Sequence, residues 1–318
     1  MPPRRRLGKR LIRSLLPIVL VIVLALVGSL AFIVYCVSRP TQRPYLVTAQ
    51  SFTNISGRVL KITDETWANH DGTRARGWLL KGSAGAPAVV LLHRYGADRS
   101  YALNLGVKIN EATNFTILWP DLRGHGMNPP VKWSALGNRE DEDLLAALDF
   151  LRTLKAENQA KLVGDRLGVY GVELGAASAL KAAVPDKQIK ALVLDSIPRS
   201  PSELLGAAVT SCTGVDNRVL RSLAVPAMKL YFLGNFDQTS SCEAAKGLRD
   251  QSVLLISGAD AGYLISSTAS LQSCFSDPSK VQIRTDLPLS GMNLPSATGE
   301  QGEGYDRIVI DFFDTALR

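Results

Sequence analysis

Leu167-Gly168-Val169-Tyr170-Gly171-Val172-Glu173-Leu174-Gly175-Ala176-Ala177-Ser178 reads as an apolar strand that stops at a glycine and resumes as a helix of small residues. Gly171 and Gly175 stand two residues either side of Glu173. That spacing suits a strand-to-helix turn so tight that side chains are excluded beside the central residue, which is lifted above the sheet. In a Gly-x-Ser-x-Gly turn the centre is a nucleophilic hydroxyl. Here it is a carboxylate.

Outward from this turn the chain alternates continuous apolar strands with helical stretches, the pattern of a parallel sheet covered on both faces. Strands are predicted at residues 88–92, 115–118, 168–170, 189–194, 253–256 and 281–284. Before them, residues 59–67 and 74–80 alternate and flank Asn69-His70-Asp71-Gly72, hairpin chemistry with Asp-Gly at the turn. Residues 140–155 read as an amphipathic helix with acids in its first turn, where the helix dipole favours them. Residues 305–317 read as a closing helix. Between the sixth and seventh strands of the fold, residues 197–250 read as a mostly helical excursion, sized for a modest cap.

The N-terminal part obeys other rules. Residues 15–37 are almost uninterruptedly apolar and, at about 1.5 Å per residue, long enough to cross a hydrocarbon layer of about 30 Å. Arg4, Arg5, Arg6, Lys9, Arg10 and Arg13 precede this run, whereas only Arg39 and Arg43 follow closely. The bias predicts a basic cytoplasmic tail (1–14), a transmembrane helix (15–37), a proline-stiffened stalk (38–52) and an extracytoplasmic domain (53–318). Cleavage after a small-x-small site at Ser29-Leu30-Ala31 is the rival, set against an apolar run that continues through Val37. The net charge of +7 does not indicate a nucleic-acid partner: residues 1–39 hold seven Arg and Lys and no acid, leaving 29 basic against 29 acidic residues.

The ordered pieces beyond the membrane segment resemble the α/β-hydrolase fold superfamily, in its lipase-, esterase- and peptidase-like serine-hydrolase branch. They are His93 before a Gly-containing loop, Asp121-Leu122-Arg123-Gly124-His125-Gly126, the turn at Glu173, Leu194-Asp195-Ser196 and Leu254-Leu255-Ile256-Ser257-Gly258-Ala259-Asp260. The resemblance implies an eight-stranded, mostly parallel sheet with helices on both faces. It also implies a Ser, an acid and a His in chain order. Glu173 stands at the nucleophile position, Asp260 is the candidate second acid, one position early, and no histidine follows His125. Some relatives form a covalent intermediate on an elbow Asp, but a His-activated water must then hydrolyse it.

Where relatives carry His-Gly, this chain has His93-Arg94. The expectation is an Arg94–Glu173 ion pair plugging the former active site, in a pocket lined by His93, Arg94, Tyr95, Glu173, Leu174 and Met292. The function expected is a membrane-anchored pseudo-hydrolase that binds a small molecule, lipid or peptide, or acts as a scaffold. The alternative is an atypical hydrolase working through Glu173 and a second carboxylate such as Asp260 or Asp195. No cofactor is implied, and no Cys/His cluster has metal-ligand spacing.

Of four cysteines, Cys36 lies in the apolar run, so Cys212, Cys242 and Cys274 cannot all pair within the domain. Outside the cytoplasm a Cys242–Cys274 disulfide is the chosen pairing; buried thiols are the other reading.

Overall fold

The computed structural model describes residues 4–42, 44–57, 60–296 and 299–318. The side chains of 4–13, 55–56 and 295–296 lie outside the described residues, and with them the basic tail; so do Arg43 and Val59, the expected first residue of the first strand. In chain order the elements are α1 (Arg4–Ser38), α2 (Ala49–Ser56), β1 (Ile62–Ala68), β2 (Arg74–Leu80), β3 (Ala86–Leu92), α3 (Leu103–Thr113), β4 (Thr116–Pro120), α4 (Glu140–Thr153) and β5 (Val163–Val172). They continue as α5 (Leu174–Ala182), β6 (Ile189–Asp195), α6 (Pro201–Thr213), α7 (Arg218–Tyr231), α8 (Ser241–Lys246), β7 (Ser252–Ile256), α9 (Leu264–Leu271), β8 (Val281–Arg284) and α10 (Gly299–Leu317). Two compact units result: Met1–Val37 with Leu205–Phe236, and Ser38–Leu204 with Asp237–Arg318.

The larger unit is built on one eight-stranded sheet in the order β1-β2-β4-β3-β5-β6-β7-β8. The first hairpin and its junction with β4 are antiparallel, and every pair from β4 to β8 is parallel. The hairpin closes where expected: the Gly72 N–H donates to the Asn69 carbonyl at 2.9 Å, with Gly72 at φ +78°, a conformation glycine adopts without a side-chain clash. Central strands are buried on both faces, which is why they read as apolar runs. Val89, Leu91, Tyr170, Val172, Ala191, Val193, Leu254 and Ile256 form one cluster with residues of α3 and α10, whereas α5 packs on the sheet with α4 beside it.

The strand order positions the site. β4 lies on one side of β3 and β5 on the other, so successive crossovers leave in opposite directions and a crevice opens at the carboxyl ends of β3 and β5. The loop beginning at His93 and the turn at Glu173 therefore face each other.

Two expectations need correction. The stalk is shorter than residues 38–52: Tyr45, Val47, Ala49 and Phe52 pack against the core, the Tyr45 hydroxyl donates to Asp121 at 2.9 Å, and α2 starts at Ala49. The apolar and aromatic side chains of that segment have a hydrophobic surface to cover, which a free stalk would leave wet. Cys36 is not sequestered by the membrane run, because it is bonded to Cys212, while Cys242 is bonded to Cys274. The described residues include one helix long and apolar enough to cross a membrane, the 25 residues Ser14–Ser38. A bilayer core needs about 20 residues. The last turn, with Cys36, is therefore free to stand beyond the hydrocarbon.

Candidate active site

Glu173 sits between β5 and α5 at φ 50° and ψ −102°, a backbone region that a side-chain-bearing residue occupies at a cost of about 1–3 kcal/mol. The turn is held by the Glu173 N–H on the Asp195 carbonyl and by the Ala177 N–H on the Glu173 carbonyl, each at 3.0 Å. Its neighbours leave no room. A β-carbon on Gly171 would lie 2.4 Å from the Gly175 backbone, and one on Gly175 would lie 2.6 Å from the Leu92 carbonyl oxygen.

The Glu173 side chain is only 6% exposed. Its Oε2 accepts the Tyr95 N–H at 3.0 Å, and the backbone N–H of Leu174 is near enough to pull its pKa down. The N–H of the residue after the turn's centre and one from the loop after β3 are the pair that forms an oxyanion hole in an elbow of this kind. The carboxylate engages the second of these, the Tyr95 N–H. Burial pushes its pKa up to about 7 against the opposing pull of the Arg94 charge and the two amides.

The Arg94–Glu173 ion pair expected from the sequence does not form among the described residues. The guanidinium instead donates from Nε to the Tyr101 hydroxyl and from Nη1 to the Tyr95 carbonyl, each at 3.2 Å, and lies over the Tyr101 ring at 5.3 Å. The physical reason is local: the Tyr95 amide already bonds the carboxylate, and the cation gains more from the tyrosine face and a carbonyl than from a second claim on Glu173. Its charge still acts through space.

His93 is buried at 1% exposure. Its Nδ1 donates to the Arg94 carbonyl at 2.8 Å while Nε2 accepts the Leu122 N–H at 3.1 Å, which fixes one neutral tautomer. Burial holds its pKa down at about 4. It is a brace between the loops after β3 and β4. His125, 5.1 Å from it between ring centres, is likewise neutral, pushed to about 3 by burial and then by His93, and bonded through Nδ1 to the Arg123 carbonyl at 2.8 Å.

The other side of the crevice is the loop after β8. Asp260 accepts the Ser290 N–H at 2.7 Å and the Asn293 side-chain amide at 2.8 Å. Asp195, whose pKa burial raises to about 6, accepts the Gly291 N–H at 2.8 Å, the Tyr305 hydroxyl at 2.6 Å and the Ser196 hydroxyl at 2.6 Å. Two carboxylates thus grip one loop, and an amide stands opposite Asp260 where the resemblance calls for an imidazole. Tyr101 ties this loop to Arg94, donating to the Met292 carbonyl. Asp260→Ala should loosen the loop at a cost of about 1–3 kcal/mol. Unfolding curves and hydrogen exchange at residues 290–293 measure this, and unchanged exchange there would refute it.

The structure therefore gathers His93, Arg94, Tyr95, Glu173 and the Leu174 N–H at the crevice and links Met292 to them through Tyr101. The Leu174 side chain is fully buried and approaches Gly137. Tyr101 and Asn293 were not singled out by sequence; nor was Tyr263, whose pKa is raised by burial and then by the Glu173 charge. Only Asn293, next to the quoted Met292, carried a signal. A cavity of about 410 Å³ in the same unit includes Leu46, Tyr101, Lys108 and Asp306 in its wall; it shares Tyr101 with the crevice but not Arg94 or Glu173.

No family model matches the chain. Among solved structures, an esterase from Pyrococcus furiosus superposes with a TM-score of 0.64 at 19% identity, covering 88% of this chain and all of the esterase chain. A dienelactone hydrolase from Anabaena variabilis gives 0.55 at 14% identity over 81% of this chain and 99% of that one. An acylaminoacyl peptidase from Pyrococcus horikoshii gives 0.58 at 16% identity over 86% of this chain and 44% of that one. The chain adopts the α/β-hydrolase fold, as the resemblance implied. Among curated proteins, a thiohydrolase (aneE) of Aspergillus aculeatus is 26% identical over 124 residues, 39% of this chain and 37% of that protein. An uncharacterized 31.7 kDa protein of Escherichia coli is 23% identical over 134 residues, 42% of this chain and 44% of its own length. The matched stretches thus span less than half of either curated relative.

Proposed function

We propose that this is a membrane-anchored pseudo-hydrolase: an α/β-hydrolase-fold domain without Ser-Asp-His catalysis, binding a small molecule, lipid or peptide, or acting as a scaffold, outside the cytoplasm. One observation carries the reading. The Tyr95 amide, a donor that an acyl oxyanion would need, is already taken by the Glu173 carboxyl group standing at the nucleophile position. The chain supplies no histidine after the turn to activate a water. The extracytoplasmic placement is supported by the charge bias around residues 15–37 and by two disulfides, which persist in oxidising compartments.

The competing reading, an atypical ester or amide hydrolase, draws on a single feature: with its pKa near 7, Glu173 is half-ionised at neutral pH and suited in energy to act as a base. The full chain in detergent, assayed with short-chain esters and a fluorophosphonate label, separates the two. The pseudo-hydrolase reading expects inertness from the parent, from Glu173→Gln and from Glu173→Ser, because a serine there gains an open oxyanion hole but no base. Hydrolysis by the parent that vanishes in Glu173→Gln would establish the alternative. An ordinary esterase rate in Glu173→Ser would reveal a base elsewhere in the crevice.

A further inference from the structure

The smaller unit holds a second apolar surface besides its membrane-crossing candidate. In α7, Val219, Pro226 and Leu230 recur at spacings of seven and four, which on a helix is one continuous stripe, and Leu233 follows in the turn after it. The stripe is in the open: Val219 is 63% exposed, Leu230 78% and Leu233 87%. The helix already has a packed face made of Ala224, Ala227 and Met228, so the exposed stripe is an additional one. Arg218 and Lys229 project from its border and are exposed. Soluble helices seldom display such a combination without something to cover it.

The covalent structure indicates what covers it. Cys212, near the end of α6, is bonded to Cys36, two residues from the end of α1, with α-carbons 6.1 Å apart. Val215, itself 50% exposed, follows Cys212 by three residues, at most about 10 Å of chain. This first exposed apolar residue thus lies within roughly 16 Å of Cys36 at the end of α1, and α7 begins three residues later, at Arg218. Both parts belong to the same compact unit.

We propose that α7 and its following turn form a second lipid-contacting element, lying in the interface of the bilayer that α1 crosses, with Val219, Pro226, Leu230 and Leu233 toward the acyl chains and Arg218 and Lys229 at the headgroup phosphates. An amphipathic helix with basic flanks binds such an interface through apolar burial plus attraction to anionic lipid. The Cys36–Cys212 bond holds that helix at the membrane, so no separate affinity is needed to bring it there. The proposal rests on α1 being the anchor, but not on the chemistry at Glu173.

The test uses the full chain reconstituted in vesicles of phosphatidylcholine and phosphatidylglycerol. Spin labels are placed through Leu230→Cys, Leu233→Cys and, as a solvent reference on the larger unit, Glu157→Cys. The four native cysteines are disulfide-bonded and do not compete. Labels at 230 and 233 should favour dissolved oxygen over a water-soluble nickel complex several-fold more than the reference label does. Equal nickel accessibility at all three sites would overturn the proposal. So would labels shielded from both reagents with short distances between molecules, which would assign the stripe to a second copy of the chain. A fourth label, through Leu20→Cys in α1, keeps the anchor separate: lipid signals at 20 without them at 230 and 233 reject the second contact while leaving the anchor intact.

Discussion

Glu173→Gln is expected to be more stable than the parent by roughly 3 kcal/mol at pH 8, with the advantage shrinking to nothing near pH 4. In the folded protein burial raises the Glu173 pKa from 4.5 to about 7, with the Arg94 charge and the amides of Tyr95 and Leu174 opposing it. A shift of this size corresponds to roughly 3 kcal/mol of preference for the neutral form. The sign follows from which state releases its proton first. Below pH 4.5 both states hold it, and Glu173 contributes no pH dependence. Between pH 4.5 and 7 the unfolded chain has released the proton while the folded chain retains it, so the parent loses stability as pH rises. Above pH 7 the loss is complete. A glutamine keeps a carbonyl oxygen for the amides and has no proton to lose. Asp195 and Asp143, both raised to about 6 by burial, titrate alike in the two proteins and cancel in the difference. Urea unfolding of both chains from pH 4 to pH 8 measures it, and parallel stability profiles would refute the burial of an ionisable Glu173.

The contrast between what was legible in sequence and what was not follows the range of the interactions. Strands buried on both faces declare themselves as apolar runs, so β3 to β8 and the turn at Glu173 could be placed from residues alone. The hairpin at Asp71-Gly72 was equally local. Contacts between distant loops were not. Arg94 and Glu173 are brought together as expected, but their pairing depended on whether backbone amides reached the carboxylate first, and no side-chain pattern reports an amide's direction. The grip of Asp260 on Asn293 is similarly invisible: an Asn three residues past Ser290 is an ordinary loop residue until the topology sets it against an acid. Tyr45 was misread because Pro40 and Pro44 just before it suggested a free linker, whereas its ring and hydroxyl find partners only once Trp78 and Asp121 are assembled.

Gly175→Ala is expected to destabilise the domain by at least about 3 kcal/mol, at the upper end of the usual cost of overpacking, and Gly171→Ala should do the same. What decides the size is the nature of the obstruction. A methyl on Gly175 would stand 2.6 Å from the Leu92 carbonyl oxygen, 2.7 Å from the Leu92 β-carbon and 2.9 Å from the His93 carbonyl oxygen. One on Gly171 would stand 2.4 Å from both the carbon and the oxygen of the Gly175 carbonyl. None of these is the end of a side chain that could rotate away. Relief requires β3 and α5 to separate, and that movement would pull the Tyr95 amide off the Glu173 carboxylate while its burial persists. Gly304→Ala is the control. It lies exposed inside α10 with nothing within 4 Å of the added carbon, and should be stabilised by up to about 1 kcal/mol because alanine forms helix better than glycine. Chemical unfolding of the three variants ranks them, and a Gly175→Ala domain as stable as the Gly304→Ala one would mean that the turn at Glu173 is wider than the 2.6 Å approach allows.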